Sequence, residues 1–173
     1  KVLILKYRPA RNGFFVNRAG GELFNKWITL AKSVTNIYLL NEELNVMDLY
    51  KLYTYFDYYI SPHCGEGFGI TIYDNMILGN KIISPYYSGE KDYLKRDEII
   101  ELEYNEKELK CFNAHPIYRQ MSSYKGAYIS TDSIIDKIDK LVTNPDNFDI
   151  MVIDCQPLQH ETRGIAKYSF NLL

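Results

Sequence analysis

A glutamate and three glycines stand together at the point where a predicted strand passes into a predicted helix. Gly65, Gly67 and Gly69 alternate through the turn, and Glu66 lies between the first two. Glycine lets the backbone approach a ligand closely, and the N-terminus of the following helix offers free N–H groups and the positive end of the helix dipole. That combination suits a phosphate or a pyrophosphate. On the pattern alone, a turn that only lets the helix pack on the sheet is an equally good interpretation.

The charge of Glu66 favours the ligand-binding interpretation. A carboxylate beside a phosphate is unfavourable unless it accepts hydrogen bonds from hydroxyl groups, and a sugar attached to the phosphate supplies them. Asp74 lies eight residues further on, within the predicted helix, and offers a second carboxylate to a vicinal diol such as a ribose. An isolated Asp at such a position is also typical of a solvated surface. Two carboxylates flanking a phosphate-binding turn predict a pocket for a nucleotide sugar.

The elements around this turn are predicted from the spacing of the apolar residues. Strands are expected at 1–7, 35–40, 57–61, 81–84, 98–104 and 148–154. Helices are expected at 21–33, from Asn45 to about Phe56, after the glycine turn, and at 131–143 with Thr131 as its N-cap. Asn45 and Asp48 resemble a capping box that opens the second of these helices. Residues 105–130 are predicted to be mostly loop. Strands that alternate with helices over short loops indicate an α/β fold with a parallel sheet and right-handed crossovers. Ligands of such sheets bind outside the carboxyl ends of the strands, so we expect Glu66 to face a ligand there, with Gly67 to Gly69 at the start of a helix.

Composition narrows the class of protein. A chain of 173 residues suits a single domain with its own core, and its net charge of −2 without a long basic run argues against a nucleic-acid-binding surface. No apolar stretch approaches the roughly 18 residues needed to span a bilayer. Cys64, Cys111 and Cys155 form no C-x-x-C pair, which argues against a disulfide framework and a structural zinc site and favours a cytoplasmic location. We interpret the 16 tyrosines as the codon bias of an AT-rich genome rather than as an aromatic binding stripe.

The segment SPHCGEGFGITIYDNMILGNKIISPYYSGEKDYL, residues 61–94, resembles the donor-binding signature of group 1 (family 4) glycosyltransferases with the GT-B fold. The matching features are Glu66 to Gly69, the second acid Asp74, a Met-x-x-Gly helix end at 76–79, and Ser88-Gly89 with Asp92. His63 fits a subgroup with a histidine three residues before the glutamate. The resemblance covers roughly residues 1–143.

The resemblance implies a fold and an activity. The fold would be a Rossmann-like parallel sheet with helices on both faces, the C-terminal half of a GT-B fold that is incomplete at its N-terminus. The activity would be a retaining hexosyl transfer, with no bound metal or other cofactor, from a nucleotide-diphosphate sugar to a glycan or lipid-linked acceptor in cell-surface polysaccharide synthesis. Peripheral membrane association of the parent protein is compatible with such an acceptor.

The resemblance also assigns roles to individual residues. Glu66 would be the catalytic residue, holding sugar hydroxyls at the reacting centre, and Asp74 would hold the ribose. The N–H groups at the helix start would stabilise the leaving diphosphate. The donor-binding set is therefore His63, Gly67, Phe68, Gly69, Ile70 and Asp74.

Three departures from the family pattern bear on affinity. Asp74 is one methylene shorter than the usual Glu, and Cys64 stands where the subgroup often has arginine. The Arg/Lys pair that holds the pyrophosphate comes from the first strand and loop of the family's domain, whereas residues 1–7 resemble the second strand. Lys6 is interpreted as a strand-end lysine rather than as a replacement. We therefore expect the isolated chain to bind nucleotide sugars weakly and to transfer none.

The C-terminal residues suggest a second module. The segment 144–147 predicts a linker, and 148–173 resembles the opening strand, loop and helix of another glycosyltransferase's N-terminal domain. In that case the segment makes few contacts with the sheet of residues 1–104, and its unpaired strand favours association with a second copy of the chain. The alternative is that it packs back onto its own domain, as the C-terminal helix of GT-B enzymes does.

Other functions stay open at this stage. A non-catalytic module that binds nucleotide sugars or scaffolds a glycan-assembly complex is the alternative from another class, and Asp74 and Cys64 support it. Within the GT-B fold, an epimerase or a phosphorylase is also conceivable, although no convincing lysine site for pyridoxal phosphate is present.

Overall fold

A computed structural model of the protein describes residues 2–6, 29, 32–33, 35–40, 42–110, 123–143 and 150–154. The strands are β1 (Val2–Lys6), β2 (Ile37–Leu40), β3 (Tyr58–Ile60), β4 (Lys81–Ser84), β5 (Ile99–Glu101), β6 (Tyr104–Lys110), β7 (Ser123–Ile129) and β8 (Ile150–Asp154). The helices are α1 (Val46–Tyr53), α2 (Ile70–Ile77) and α3 (Thr131–Val142), with short 3-10 helices η1 (Gly89–Asp92) and η2 (Arg96–Glu98). None of the helices in these ranges has the length and apolar run needed to cross a membrane.

Six strands form one parallel sheet in the order β2-β1-β8-β3-β4-β5. The prediction of an α/β fold with a parallel sheet is confirmed, and the arrangement is compatible with a Rossmann-like fold. The chain runs from β1 outward to β2, then returns across the sheet to β3, β4 and β5. Its direction therefore reverses between β1 and β3, at the position that β8 fills.

The expected separation of residues 148–173 from the main sheet is wrong for their strand. β8 lies in the middle of the sheet, with Val2 aligned to Ile150 on one side and Ile60 aligned to Ile153 on the other. A strand there has both edges paired, whereas β1 and β3 would each present an open edge without it. The rest of the predicted second module, the loop and helix after residue 154, lies outside the described residues.

Helices α1 and α2 cover one face of this sheet. Their inward side chains meet those of β3 and β4 in a single core, whose buried members are Tyr53, Phe56, Tyr59, Ile72, Ile82, Leu94 and Ile99. The predicted N-cap of α1 is confirmed, because Asn45 Oδ1 accepts the Asp48 N–H at 2.9 Å. Of the helix predicted at 21–33, only residues 29 and 32–33 are described, and these are helical.

Two local predictions need correction. The described parts of residues 105–130 are not mostly loop, because β6 and β7 pair as an antiparallel hairpin over seven residue pairs. Residues 111–122 lie outside the described ranges. The sequence of β6 is rich in charged residues and neither strand alternates clearly between apolar and polar residues, so the pattern did not mark them. Helix α3 is capped by Ser130 rather than Thr131, since the Ser130 hydroxyl accepts the Ser133 N–H at 3.1 Å.

A buried amide ties the two helices to the start of β4. Asn80 Nδ2 donates to the Tyr53 carbonyl at 2.9 Å and to Asn75 Oδ1 at 2.7 Å. Replacing a buried hydrogen-bonded group leaves its partners unsatisfied. We expect Asn80→Ala to lower the free energy of unfolding by about 2 kcal/mol in urea titrations, while Asn105→Ala, at an exposed position of β6, changes it by less than about 0.5 kcal/mol. Equal effects of the two substitutions would contradict this role for Asn80.

Candidate functional site

The glycine turn lies at the carboxyl edge of the parallel sheet. β3 ends at Ile60, the chain turns through residues 61–69, and α2 begins at Ile70. In open parallel sheets, ligands bind at this edge, close to the point where the strand order reverses. The predicted position of Glu66 at the carboxyl end, with Gly67 to Gly69 at the start of a helix, is confirmed.

The turn packs directly on the segment that follows β4. The Glu66 N–H donates to the Ser88 hydroxyl at 2.7 Å. A Cβ atom on Gly89 would lie only 1.5 Å from the Gly67 carbonyl oxygen, so the two backbones are in direct contact. By contrast, a Cβ on Gly65 or Gly67 would meet nothing within 4 Å. Packing within the described chain therefore requires glycine at position 89, but not at positions 65 and 67.

A buried carboxylate organises this contact. Glu90 is fully buried, and its Oε1 accepts the N–H groups of Tyr87 at 2.6 Å and Ser88 at 3.1 Å. Its Oε2 accepts the Ser88 hydroxyl at 3.2 Å and lies 3.4 Å from His63 Nε2. Sequence reasoning missed this residue. The Glu two positions after Ser88 carried no signal of burial, since Glu is seldom buried without partners.

His63 lies beneath the turn, with 1% of its surface exposed. Its Nε2 faces Glu90, and because a carboxylate only accepts, the proton of the neutral ring belongs on that nitrogen. Burial lowers the pKa of His63 to about 4, against a smaller opposing effect of the Glu90 charge. This burial does not fit direct contact between His63 and a ligand. It fits a side chain that helps to hold Glu90.

An aromatic cluster flanks the turn. The ring of Phe68, half exposed, lies 5.2 Å from that of Tyr73 and 4.9 Å from that of Tyr93, and the two tyrosine rings are 5.1 Å apart. The Tyr93 hydroxyl donates to the Gly69 carbonyl at 3.1 Å. Burial raises the pKa of Tyr93, as do the charges of Glu90 and Glu66, so this hydroxyl stays protonated. At least these two tyrosines have a defined place beside the site, which composition alone did not indicate.

Helix α2 begins without a side-chain cap. Gly69 is its N-cap with a φ of 74°, a left-handed conformation that favours glycine, and no side chain caps this helix. Ile70, the first helical residue, is exposed. The N–H groups predicted to bind a diphosphate, those of Phe68, Gly69 and Ile70, thus lie at a helix N-terminus without a side-chain cap. Such a terminus attracts anions.

Asp74 lies one helical turn further along α2, about 6 Å along its axis from Ile70. Its side chain is partly exposed, and the Tyr50 hydroxyl of α1 lies close enough for the Asp74 charge to raise the pKa of Tyr50. A ribose that binds Asp74 therefore approaches a carboxylate that already has the Tyr50 phenol as a neighbour. Nothing in the sequence marked Tyr50 as a neighbour of Asp74.

Two other residues singled out from the sequence lie near this edge. Cys64 is buried, and its carbonyl oxygen accepts the Ala127 N–H at 2.8 Å, which fastens the β6–β7 hairpin to the turn. Lys6 is the last residue of β1 and is largely buried. Its position agrees with the interpretation as a strand-end lysine. Among the described residues, no group of three or more His, Cys, Asp and Glu side chains is arranged to hold a metal ion.

Comparison with known protein families and with curated proteins identifies no relative of this chain. The chain matches no model of a known protein family, and a search of curated proteins finds no significant match. The class that the fold itself defines is a mixed α/β protein with a parallel sheet. Any functional assignment therefore depends on the residues of the site.

Proposed function

We propose that this chain is the donor-binding part of a glycosyltransferase. It binds a nucleotide-diphosphate sugar and contributes to transfer of the sugar, with retention, to a glycan or lipid-linked acceptor. The observation that carries the proposal is the position of Glu66, in a glycine turn at the carboxyl edge of the sheet and three residues before an uncapped helix N-terminus. The resemblance of residues 61–94 to the family signature supports the same assignment.

The charges around the turn favour a sugar phosphate over a free phosphate. The helix N-terminus attracts the phosphate, whereas Glu66 repels it unless hydroxyl groups lie between them. A sugar bonded to the phosphate places hydroxyls beside Glu66 and the diphosphate beside the N–H groups of Phe68, Gly69 and Ile70. No described residue lies within 4 Å of a Cβ built on Gly65 or Gly67, which supports this assignment, because glycine there leaves room for a ligand against the backbone.

In the proposed reaction, these residues bind and stabilise charge. Glu66 accepts hydrogen bonds from the sugar and holds its reacting carbon in place. The N–H groups at the start of α2 stabilise the negative charge that grows on the diphosphate as the bond to the sugar breaks. The acceptor hydroxyl and its binding site belong to another domain in such enzymes.

A non-catalytic nucleotide-sugar-binding or scaffolding module is the second candidate. The closeness of the Tyr50 hydroxyl to Asp74 favours it, because another side chain already neighbours the carboxylate proposed for the ribose. Sugar transfer or donor hydrolysis by the longest natural form of the protein, abolished by Glu66→Gln, would exclude this second candidate.

A titration with matched ligands tests donor binding. We expect UDP-hexose or GDP-hexose to shift the Gly67, Phe68 and Gly69 amide signals of the ¹⁵N-labelled chain with a Kd of about 1 mM or weaker, since the family's Arg/Lys clamp is not recognised in the sequence. Glu66→Gln should weaken binding of the sugar nucleotide about fivefold or more without weakening binding of UDP alone, because Glu66 holds the sugar and only repels a diphosphate that carries none. Glu103→Gln, at an exposed position, is the control.

Two outcomes contradict the proposal. One is the absence of amide shifts in the turn at about 20 mM ligand, well above the expected Kd. The other is an equal loss of UDP and UDP-hexose affinity in Glu66→Gln, which would mean that the carboxylate does not recognise the sugar. Micromolar binding would instead show that the chain contains a cationic clamp that the sequence did not reveal.

A further inference from the structure

Glu90 is a buried carboxylate whose hydrogen-bond partners are neutral groups. They are two backbone N–H groups, the Ser88 hydroxyl and the His63 ring. No lysine or arginine of the described ranges forms an ion pair with it. Burying a carboxylate is costly, and such groups contribute little to stability compared with an apolar side chain of similar size. The placement of Glu90 calls for another explanation.

The hydrogen bonds of Glu90 continue into the glycine turn. The Ser88 hydroxyl has one proton, which it donates to Glu90, because the carboxylate only accepts. The oxygen of the same hydroxyl then accepts the Glu66 N–H at 2.7 Å. The direction of the Ser88 hydroxyl is thus set by Glu90, and the orientation of the Glu66 amide is set by Ser88.

The backbone that follows Glu66, at Gly67, contacts the same segment as the Glu66 N–H. The Gly67 carbonyl oxygen lies against Gly89, in the same short segment as Ser88 and Glu90. The segment 87–90 therefore contacts the backbone on both sides of the Glu66 Cα atom. The direction in which the Glu66 side chain leaves the backbone follows from these two contacts.

We propose that Glu90 is a positioning residue: through Ser88 it holds the backbone of Glu66 in the orientation that presents the Glu66 carboxylate at the carboxyl edge of the sheet. His63 donates to Glu90 from below and completes its set of partners. Glu90 also occupies the N–H groups of Tyr87 and Ser88, so an anionic ligand is directed to the start of α2 instead. A role of these hydrogen bonds in sugar recognition rests on the function proposed above. The positioning of Glu66 itself does not.

Hydrogen exchange of individual amides tests the relay without any ligand. We expect the Glu66 amide to exchange about tenfold faster in both Ser88→Ala and Glu90→Gln. Ser88→Ala removes the hydroxyl that accepts the Glu66 N–H, and Glu90→Gln removes the carboxylate oxygen that holds this hydroxyl in place. The Tyr87 amide should stay protected in both variants. Glu90 is intact in Ser88→Ala, and in Glu90→Gln the side-chain carbonyl still accepts the Tyr87 N–H. Asp97→Asn removes an exposed charge from η2 and serves as the control.

The double variant supplies the decisive comparison. If Glu90 acts through Ser88, the Glu66 amide exchanges no faster in the double variant Ser88→Ala/Glu90→Gln than in either single variant. Additive effects, an unchanged Glu66 amide, or an equal increase at the Tyr59 and Ile83 amides of the sheet would overturn the proposal. If Glu90→Gln does not fold, an unchanged Glu66 amide in Ser88→Ala alone overturns it. Failure of the chain to bind any sugar nucleotide removes the proposed function but leaves this exchange result as it stands.

Discussion

Gly89→Ala is expected to lower the free energy of unfolding by about 3 kcal/mol and to abolish any ligand-induced shifts of the turn amides. The added methyl group would lie 1.5 Å from the Gly67 carbonyl oxygen and 2.6 Å from the Gly67 carbonyl carbon. Both are backbone atoms, so no side-chain rotation relieves the overlap. The turn must move away from the segment 87–90, which separates the Glu66 N–H from the Ser88 hydroxyl. Urea unfolding and titration with UDP-hexose measure the two effects.

The matched control is Gly65→Ala. This glycine belongs to the same turn, but its added methyl would meet nothing within 4 Å. We expect a change in the free energy of unfolding of less than about 1 kcal/mol, whereas sugar-nucleotide binding should still weaken if a ligand lies against this backbone. A Gly89→Ala variant as stable as Gly65→Ala would show that the turn and the segment 87–90 are not in contact.

The free energy of unfolding is expected to fall as the pH is lowered from about 6.5 to about 4. His63 protonates near its ordinary pKa of 6.5 in the unfolded chain, but only at about 4 in the folded protein, where its ring is buried. Between these values the unfolded state binds more protons, so acid favours unfolding. The contribution of His63 is fully present above pH 6.5 and is lost by about pH 4. Its size is about 3 kcal/mol.

Comparison with a non-titrating variant isolates this contribution from that of the carboxylates. His63→Asn should unfold with a shallower dependence on pH between 4 and 6.5, even if its stability at neutral pH is lower. An NMR titration of the His63 ring gives the pKa directly in the intact protein. A ring pKa near the ordinary value of 6.5, or parallel stability profiles of the two proteins, would contradict the buried neutral histidine.

Both predictions concern the glycine turn and the residues that hold it in place. The glycine turn supplies the groups proposed to touch a ligand, whereas Ser88, Gly89, Glu90 and His63 determine where those groups lie. A weak donor site can therefore be well ordered before any ligand binds. Preorganisation of this kind reduces the entropy that a ligand must lose on binding.

The position of β8 in the middle of the sheet changes which strands border the proposed site. Residues 150–154 fill the position at which the strand order reverses, directly between β1 and β3. The carboxyl end of β8 therefore lies at the edge where ligands of parallel sheets bind. The proposal of a donor site at this edge concerns the carboxyl ends of β1, β8 and β3, which are neighbours in the sheet.

The sequence by itself determined the local part of this protein. β3, the glycine turn and α2 follow one another within residues 58–77, and each has a signal that depends only on neighbouring residues: a β-branched and aromatic run, alternating glycines, and apolar residues at helical spacing. The N-cap of α1 at Asn45 was predicted for the same reason. Local backbone preferences and short-range hydrogen bonds determine such elements, so the position of Glu66 at the carboxyl edge followed without knowledge of the rest of the chain.

Only the tertiary structure decided which distant segments meet. β8 pairs on both sides with strands far away in sequence, and a strand with both edges paired leaves no open backbone edge at that position. The hairpin of β6 and β7 forms from charged strands that carry no pattern of their own. Glu90 and His63, 27 residues apart, are buried together because each satisfies the other and the backbone around them. Strand neighbours and the burial of polar groups depend on the partners that the whole fold supplies, and those partners are not encoded in any short stretch of the chain.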